Sequence, residues 1–140
     1  MPIDHAKLPV SDLDSARDFY TLALGALGWQ LVTDEAPAVL HFGTGDGGED
    51  HEPIAFECTS EPIARCHIAF LASTREQVHA FHAAALGAGG ADNGCPGERP
   101  YGQRYYAAFV LDPDGHNLEV VYKGGDVHID RTIESVGGGA

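Results

Sequence analysis

The sequence predicts one α+β domain made of two βαβββ modules, and three observations support this fold class. The chain has 140 residues, the size of a single domain. An early segment aligns with a later one without a gap, and each copy has an alternating stretch followed by apolar residues at helical spacing. Short apolar runs separated by Gly, Pro and acidic residues follow each copy, as in strands joined by turns. We expect a single domain over residues 1–123 and a flexible tail over 124–140.

An internal repeat organises the chain. Residues 4–28 (DHAKLPVSDLDSARDFYTLALGALG) align with residues 66–90 (CHIAFLASTREQVHAFHAAALGAGG) over 25 positions at an offset of 62. Eight of these positions are identical, whereas composition alone would give roughly two. Neither copy could bury its sheet alone, so the two should pack together or against a second chain. The predicted modules span residues 3–59 and 66–123.

Each copy opens with a predicted strand whose successive side chains face opposite ways. The residues expected to pack against the helix are Ala6, Leu8 and Val10 in the first copy and Ile68, Phe70 and Ala72 in the second. This alternation leaves His5 and His67 at equivalent positions on the other face, which we expect to be the concave one.

A capped helix follows each opening strand. In both copies a serine precedes an acidic residue by three positions, the pattern of a capping box, and Ser11 and Ser73 are therefore the predicted N-caps. The helices are expected to end at Gly25 and Gly87, where glycine can adopt the left-handed cap conformation.

The remaining apolar runs predict the other strands of each module. They cover residues 29–33, 39–42 and 54–58 in the first copy, and residues 105–111 and 116–122 in the second. The last two runs flank Asp-Pro-Asp-Gly at 112–115, which suits a type I turn and predicts a hairpin. The segment GERPYGQRYY at 97–106 mixes aromatic residues with arginines and is expected to form a lid or pocket rim.

Composition excludes several classes of partner. The 21 acidic against 8 basic residues give a net charge of −13, which would repel the phosphate backbone of a nucleic acid. No apolar stretch approaches membrane-spanning length and the N-terminus has no signal-peptide pattern, so we expect a cytoplasmic protein without a membrane partner. Three cysteines without zinc-motif spacing are expected to be reduced thiols.

Two histidines and two glutamates share the repeat offset. Glu119 lies on the face of the last strand opposite the helix, and the offset that matches His67 with His5 also matches Glu119 with Glu57. Two imidazoles and two carboxylates converging on one pocket would bind a divalent metal such as Mn, Fe, Co, Ni or Zn. Such a site would leave coordination positions open for substrate oxygens. We therefore predict these four residues as metal ligands.

The chain resembles the vicinal oxygen chelate superfamily, which includes glyoxalase I, extradiol dioxygenases, and fosfomycin- and bleomycin-resistance proteins. The segments DHAKLPVSDLDSARDFY, HIAFLA and FVLDPDGHNLEVVY carry the resemblance. It implies paired βαβββ modules forming a cupped sheet around a metal, with His5, Glu57, His67 and Glu119 as ligands. The pattern is most similar to bacterial-type glyoxalase I, where a glutamate ligand moves the proton. The resemblance also implies a homodimer, because family members often build each site from two chains.

Three functions are compatible with these residues. The leading hypothesis is a metal-dependent lyase or isomerase of glyoxalase type, acting on a small substrate with vicinal oxygens, with Glu119 or Glu57 as general base. A second is an Fe(II)-dependent ring-cleaving dioxygenase that uses His5, His67 and Glu119 as a facial triad. A third is a metal-free binding or resistance protein whose cup holds an apolar ligand.

Substrate contacts are expected from the rim and the strands beside the site. The candidates are Lys7, Arg99, Tyr101, Arg104 and Asn117. Glyoxalase I carries on its first strand an arginine that helps hold glutathione, and the corresponding residue here is Pro9. Together with the negative net charge, this counts against glutathione hemithioacetal and favours another substrate with vicinal oxygens.

Overall fold

Ten helices and strands follow one another in the order βαβββ, βαβββ within residues 3–44 and 52–124, the part of the chain that this computed structural model describes. The first module contains β1 (Ala6–Val10), α1 (Leu13–Gly25), β2 (Gln30–Glu35), β3 (Val39–Gly43) and β4 (Ile54–Cys58). The second contains β5 (His67–Leu71), α2 (Arg75–Gly87), β6 (Ala91–Glu98), β7 (Tyr106–Leu111) and β8 (Asn117–Tyr122). The predicted α+β class with two βαβββ modules is confirmed. The predicted tail lies outside the described residues from residue 125 onwards.

Each module forms a mixed four-stranded sheet with one helix on one face. The strand orders are β1-β4-β3-β2 and β5-β8-β7-β6, with the first pair of each sheet parallel and the others antiparallel. The helices bury Phe19 and Phe81 completely in one continuous apolar core. In the described ranges no helix has the length and apolar character needed to cross a bilayer.

The turn between β7 and β8 joins the two modules. Its Asp112 accepts a hydrogen bond from the buried Tyr20 hydroxyl at 2.5 Å, and its Asp114 accepts one from the Ser11 hydroxyl at 2.6 Å. His116 completes the junction, because its Nε2 donates to the carbonyl oxygen of Pro9 at 2.7 Å. These bonds place the start of β8 beside the end of β1.

The helix caps differ from the prediction by one residue. Asp12 and Thr74 are the N-caps, and their side chains accept hydrogen bonds from the backbone N–H groups of Ser15 and Gln77. The predicted caps Ser11 and Ser73 are therefore wrong. Both serines are followed by another good capping residue, so composition could not separate the two positions.

The predicted helix ends are confirmed, but the left-handed glycines lie further along the chain. Gly25 and Gly87 are the last helical residues. Positive φ angles occur instead at Gly28 (82°) and Gly89 (102°). The backbone N–H of the residue after the glycine then donates a hydrogen bond to the last turn of the helix. In the first module, the N–H of Trp29 donates to the carbonyl oxygen of Leu24 at 3.1 Å. The turn of the chain thus needs glycine two or three residues after each helix.

The strand β6 was not predicted as a strand. Gly94, Pro96 and Gly97 disfavour a regular strand, and the pairing with β7 is indeed irregular at two places after Asp92. The predicted rim at 97–106 consequently begins inside β6, and its loop portion is shorter than expected.

Replacing Tyr20 with phenylalanine is expected to lower the free energy of unfolding by about 1–3 kcal/mol, because a carboxylate oxygen of buried Asp112 loses its donor. Burial, together with Asp112, raises the pKa of Tyr20 well above its usual value, so the hydroxyl donates throughout the neutral range. Urea unfolding measures the effect. Tyr101→Phe is the control, since Tyr101 is 64% exposed, and its change should stay within about 0.5 kcal/mol. Equal stabilities for the two variants would contradict this role of Tyr20.

Candidate functional site

The sheet face of the second module turned away from α2 carries a histidine beside a buried carboxylate. The parallel register pairs Ala69 of β5 with Glu119 of β8, which puts His67 two residues before that pair. Nε2 of His67 lies 3.2 Å from Oε1 of Glu119. The Glu119 side chain is 5% exposed and that of His67 is 51% exposed. The sequence prediction that these two residues share a face is confirmed by their contact.

The hydrogen bonds of His67 define its tautomer. Nδ1 lies 2.9 Å from the carbonyl oxygen of Asn117, and a carbonyl only accepts, so Nδ1 carries the hydrogen and donates. In the neutral ring, Nε2 then presents a lone pair to the Glu119 carboxylate, and two acceptors face each other. A proton on Nε2 or a cation between the two groups removes this conflict. A histidine that donates Nδ1–H to a backbone carbonyl is typical of metal ligands, so this pair fits a divalent metal.

Tyr105 also contacts the carboxylate. Its hydroxyl donates to Oε2 of Glu119, on the oxygen not used by His67. Burial, with a further contribution from Glu119, raises the pKa of Tyr105 to about 12, so the hydroxyl stays protonated near neutral pH. Tyr105 was missed as a site residue. The pairing of Phe109 with Glu119 gives only part of the signal: alternation places position 105 on the same face, but four residues from Phe109, so it does not by itself predict the contact.

The first module has a different strand register. β1 pairs Pro9 with Glu57, so His5 lies four residues before the partner of the glutamate, rather than two as in the second module. Four residues of a strand span about 13 Å. An equal offset along the chain therefore does not produce equal geometry in the two sheets.

Lys7 takes the place beside Glu57 that a histidine takes in the second module. Nζ of Lys7 lies 3.0 Å from Oε2 of Glu57, and the two side chains are 48% and 53% exposed. Nδ1 of His5 instead contacts Oδ1 of the neighbouring Asp4 at 2.7 Å. The structure thus separates His5 from Glu57 within the module that was predicted to unite them.

The four predicted ligands do not form one cluster in this chain. In residues 3–44 and 52–124, the one group of at least three possible ligands with all ligand atoms within 4.8 Å consists of other residues. The bond from His116 to Pro9 places the beginning of β8 at the far end of β1 from His5. The chain therefore offers the His67–Glu119 pair on one module and His5 and Glu57 separately on the other.

Three of the predicted substrate contacts lie near the His67–Glu119 pair. The guanidinium of Arg99 lies 5.4 Å from the ring centroid of Phe109, which itself stacks with His67 at 6.3 Å. Tyr101 packs edge-on against Tyr105 at 5.3 Å. The third is Asn117, whose carbonyl holds His67 as described above. Lys7, in contrast, is bound to Glu57 on the other module.

Arg104 lies on the opposite side of the second sheet. It lines a cavity of about 380 Å³ together with Arg75, Glu98, Tyr106, Tyr122 and Gly124. Glu119 and Val121 lie on one face of β8, and Tyr122 therefore lies on the opposite face, the side of the helix. The cavity that Tyr122 lines is thus on the helix side of the sheet. The structure does not bring Arg104 to the predicted pocket.

Comparisons with known proteins agree with the fold. The Glyoxalase/Bleomycin resistance protein/Dioxygenase superfamily model matches residues 2–120. A glyoxalase/bleomycin resistance protein from Albidiferax ferrireducens has 25% identity and a TM-score of 0.68, covering 86% of this chain and 98% of its own. A family enzyme from Burkholderia phytofirmans has 20% identity and a TM-score of 0.68, covering 89% and 100%.

A further structure extends the likeness to a protein with a specific activity in its name. A lactoylglutathione lyase from Agrobacterium tumefaciens has 19% identity and a TM-score of 0.61, covering 86% of this chain and 92% of its own. At this identity the likeness shows the shared fold. No curated protein matches the sequence. The match over residues 2–120 and the two βαβββ modules together establish that the chain belongs to the Glyoxalase/Bleomycin resistance protein/Dioxygenase superfamily.

Proposed function

We propose that the protein is a metal-dependent lyase or isomerase of glyoxalase type, acting on a small substrate with two adjacent oxygens. The observation that carries the proposal is the His67–Glu119 pair, in which Nδ1 of His67 donates to a backbone carbonyl and Nε2 faces the carboxylate. Membership of the superfamily supports the same chemistry.

His67 and Glu119 would hold the metal, with His5 and Glu57 as further ligands. Imidazole nitrogens and carboxylate oxygens suit Zn, Ni, Mn or Fe. When bound, such a metal acts as a Lewis acid toward the two substrate oxygens. Glu57 becomes available when its ion pair with Lys7 opens, and an exposed pair of this kind contributes only about 0–1 kcal/mol.

Glu119 is the proposed general base, and Glu57 is the other candidate for this role. As base, the Glu119 carboxylate takes a proton from the substrate carbon that bears the hydroxyl and returns it to the neighbouring carbonyl carbon, while the hydroxyl proton passes to the former carbonyl oxygen. Its low exposure limits exchange of that proton with bulk water. The hydroxyl of Tyr105 holds Oε2 and thereby orients the carboxylate toward the ring of His67.

The proposed assembly is a homodimer in which one copy supplies His67 and Glu119 and the other supplies His5 and Glu57. The separation of the His67–Glu119 pair from both first-module ligands supports a second copy, and His5, which precedes β1, must move toward Glu57 for both to reach one metal. The three cysteines are free thiols, which supports a reducing compartment such as the cytoplasm.

A dioxygenase is the second candidate. If the exposed Glu57 stays in its ion pair with Lys7, the remaining proposed ligands are His5, His67 and Glu119, which is the composition of an Fe(II) facial triad. Assays on the 140-residue protein, first depleted of metal and then reloaded, separate the two functions. We expect metal-dependent isomerisation of hemithioacetals formed by methylglyoxal with small thiols other than glutathione, without oxygen uptake. Fe(II)-dependent oxygen uptake with a catechol would support the dioxygenase instead. A reloaded protein that binds no metal would contradict both.

A further inference from the structure

We propose a second divalent-metal site on the helix side of the second module, formed by His82, Asp92 and Cys95. His82 comes from α2, and the other two residues come from the edge strand β6. Nε2 of His82 lies 3.0 Å from Oδ1 of Asp92, and Sγ of Cys95 lies 3.4 Å from Oδ2 of the same carboxylate. The three ligand atoms all lie within 4.8 Å of one another.

The two contacts to Asp92 are close to ligand–ligand distances in a tetrahedral zinc site, and they use the two different carboxylate oxygens. Metal–nitrogen and metal–oxygen bonds of about 2.0 Å and metal–sulfur bonds of about 2.3 Å place neighbouring ligand atoms roughly 3.3–3.5 Å apart. Binding one ion would require side-chain rotations that bring one Asp92 oxygen, Nε2 of His82 and Sγ of Cys95, now within 4.8 Å of one another, to these distances. Asp92 is 48% exposed, so a metal can enter from solvent and keep a water as fourth ligand, while His82 is held at 11% exposure.

The irregular strand explains why the three groups meet. On a regular strand, residues 92 and 95 would point to opposite faces, since their spacing is odd. The register shifts on either side of Gly94 return Cys95 to the side of Asp92. Gly94 has φ 154°, and a Cβ there would lie 2.9 Å from Cδ2 of Phe109, so this path of the chain requires glycine.

The donor set selects the kind of metal. An imidazole nitrogen, a carboxylate oxygen and a thiolate sulfur favour Zn(II) and Co(II) over Mg(II) and Ca(II). The thiol proton of Cys95 leaves to solvent when the metal–sulfur bond forms. A bound metal would tie the outermost strand β6 to α2, so the site has a structural role. The site shares no residue with the proposed active site, so either proposal can be wrong without affecting the other.

Cobalt titration of the 140-residue Glu119→Gln protein tests the proposal, because that background weakens the proposed active site. That site contains no sulfur, so a thiolate-to-Co(II) charge-transfer band in the near ultraviolet reports a cysteine ligand. We expect the band in this background, its loss on adding Cys95→Ser, and its retention on adding Cys66→Ser. Cys66 is a matched control, since its thiol instead faces the carbonyl oxygen of Ala64 at 3.6 Å.

Zinc affinity provides the second measurement. Cys95→Ser and Asp92→Asn are each expected to weaken Zn(II) binding at least about tenfold, and both positions are exposed enough for the chain to fold. In the same Glu119→Gln background, Zn(II) should also raise the Tm, but not when Cys95→Ser is added. Absence of the charge-transfer band, or its persistence in Cys95→Ser, would overturn the site.

Discussion

Glu119→Gln is expected to weaken divalent-metal binding at the proposed active site by at least about 100-fold, and activity should fall with it. Changes that only support a ligand typically cost about 10–100-fold, so loss of the ligand charge itself should cost more. The amide still accepts a hydrogen bond from Tyr105 but carries no charge to pair with a cation. Metal content and titration calorimetry measure the loss, with Cys95→Ser present in every chain so that only one site is counted.

Glu61→Gln is the matched control for this prediction. It removes the same charge from an exposed carboxylate outside both proposed sites, and metal affinity should stay at the parental level. Circular dichroism of the two metal-free variants checks that both keep the fold. Parental metal affinity in a folded Glu119→Gln protein would exclude Glu119 as a ligand.

Strand and helix positions could be predicted where local pattern and packing agree. β4 was predicted at its observed bounds, because Ile54, Ala55 and Phe56 form a run of apolar residues in the sequence. All three are buried in the structure. β6 was missed because Gly94 and Pro96 disfavour strand formation in the sequence, and the strand forms through its pairing with β7. Edge strands of this kind depend on a neighbour rather than on their own residues.

The site could be predicted only in part, because the spacing of residues along the chain does not determine the register between strands. The repeat identified His67 and Glu119, which are in contact. The same offset gave His5 and Glu57. In the second sheet Glu119 pairs with Ala69, but in the first sheet the equivalent residue, Lys7, pairs with Ala55 rather than with Glu57. A shift of two residues keeps every side chain on its face, so alternation alone could not detect it.

A second large effect is expected when two inactive variants are combined in one dimer. In the proposed homodimer, each site takes His5 and Glu57 from one copy and His67 and Glu119 from the other. A heterodimer of His5→Ala with Glu119→Gln would place both changes in one site and leave the other site intact. It should therefore bind one metal per dimer and show about half the parental activity, whereas each variant alone should bind weakly and be inactive.

Two affinity tags allow the heterodimer to be purified away from both parents, again with Cys95→Ser in every chain. The control pairs His5→Ala with Glu57→Gln: here both changed residues belong to the first module, so each site of the heterodimer carries one change and no site is restored. Recovery in the first pair but not in the second follows only if the ligands are divided between copies as proposed. Absence of recovery in both pairs would place each site within one chain, and a parental protein that light scattering finds to be monomeric would refute the shared site directly.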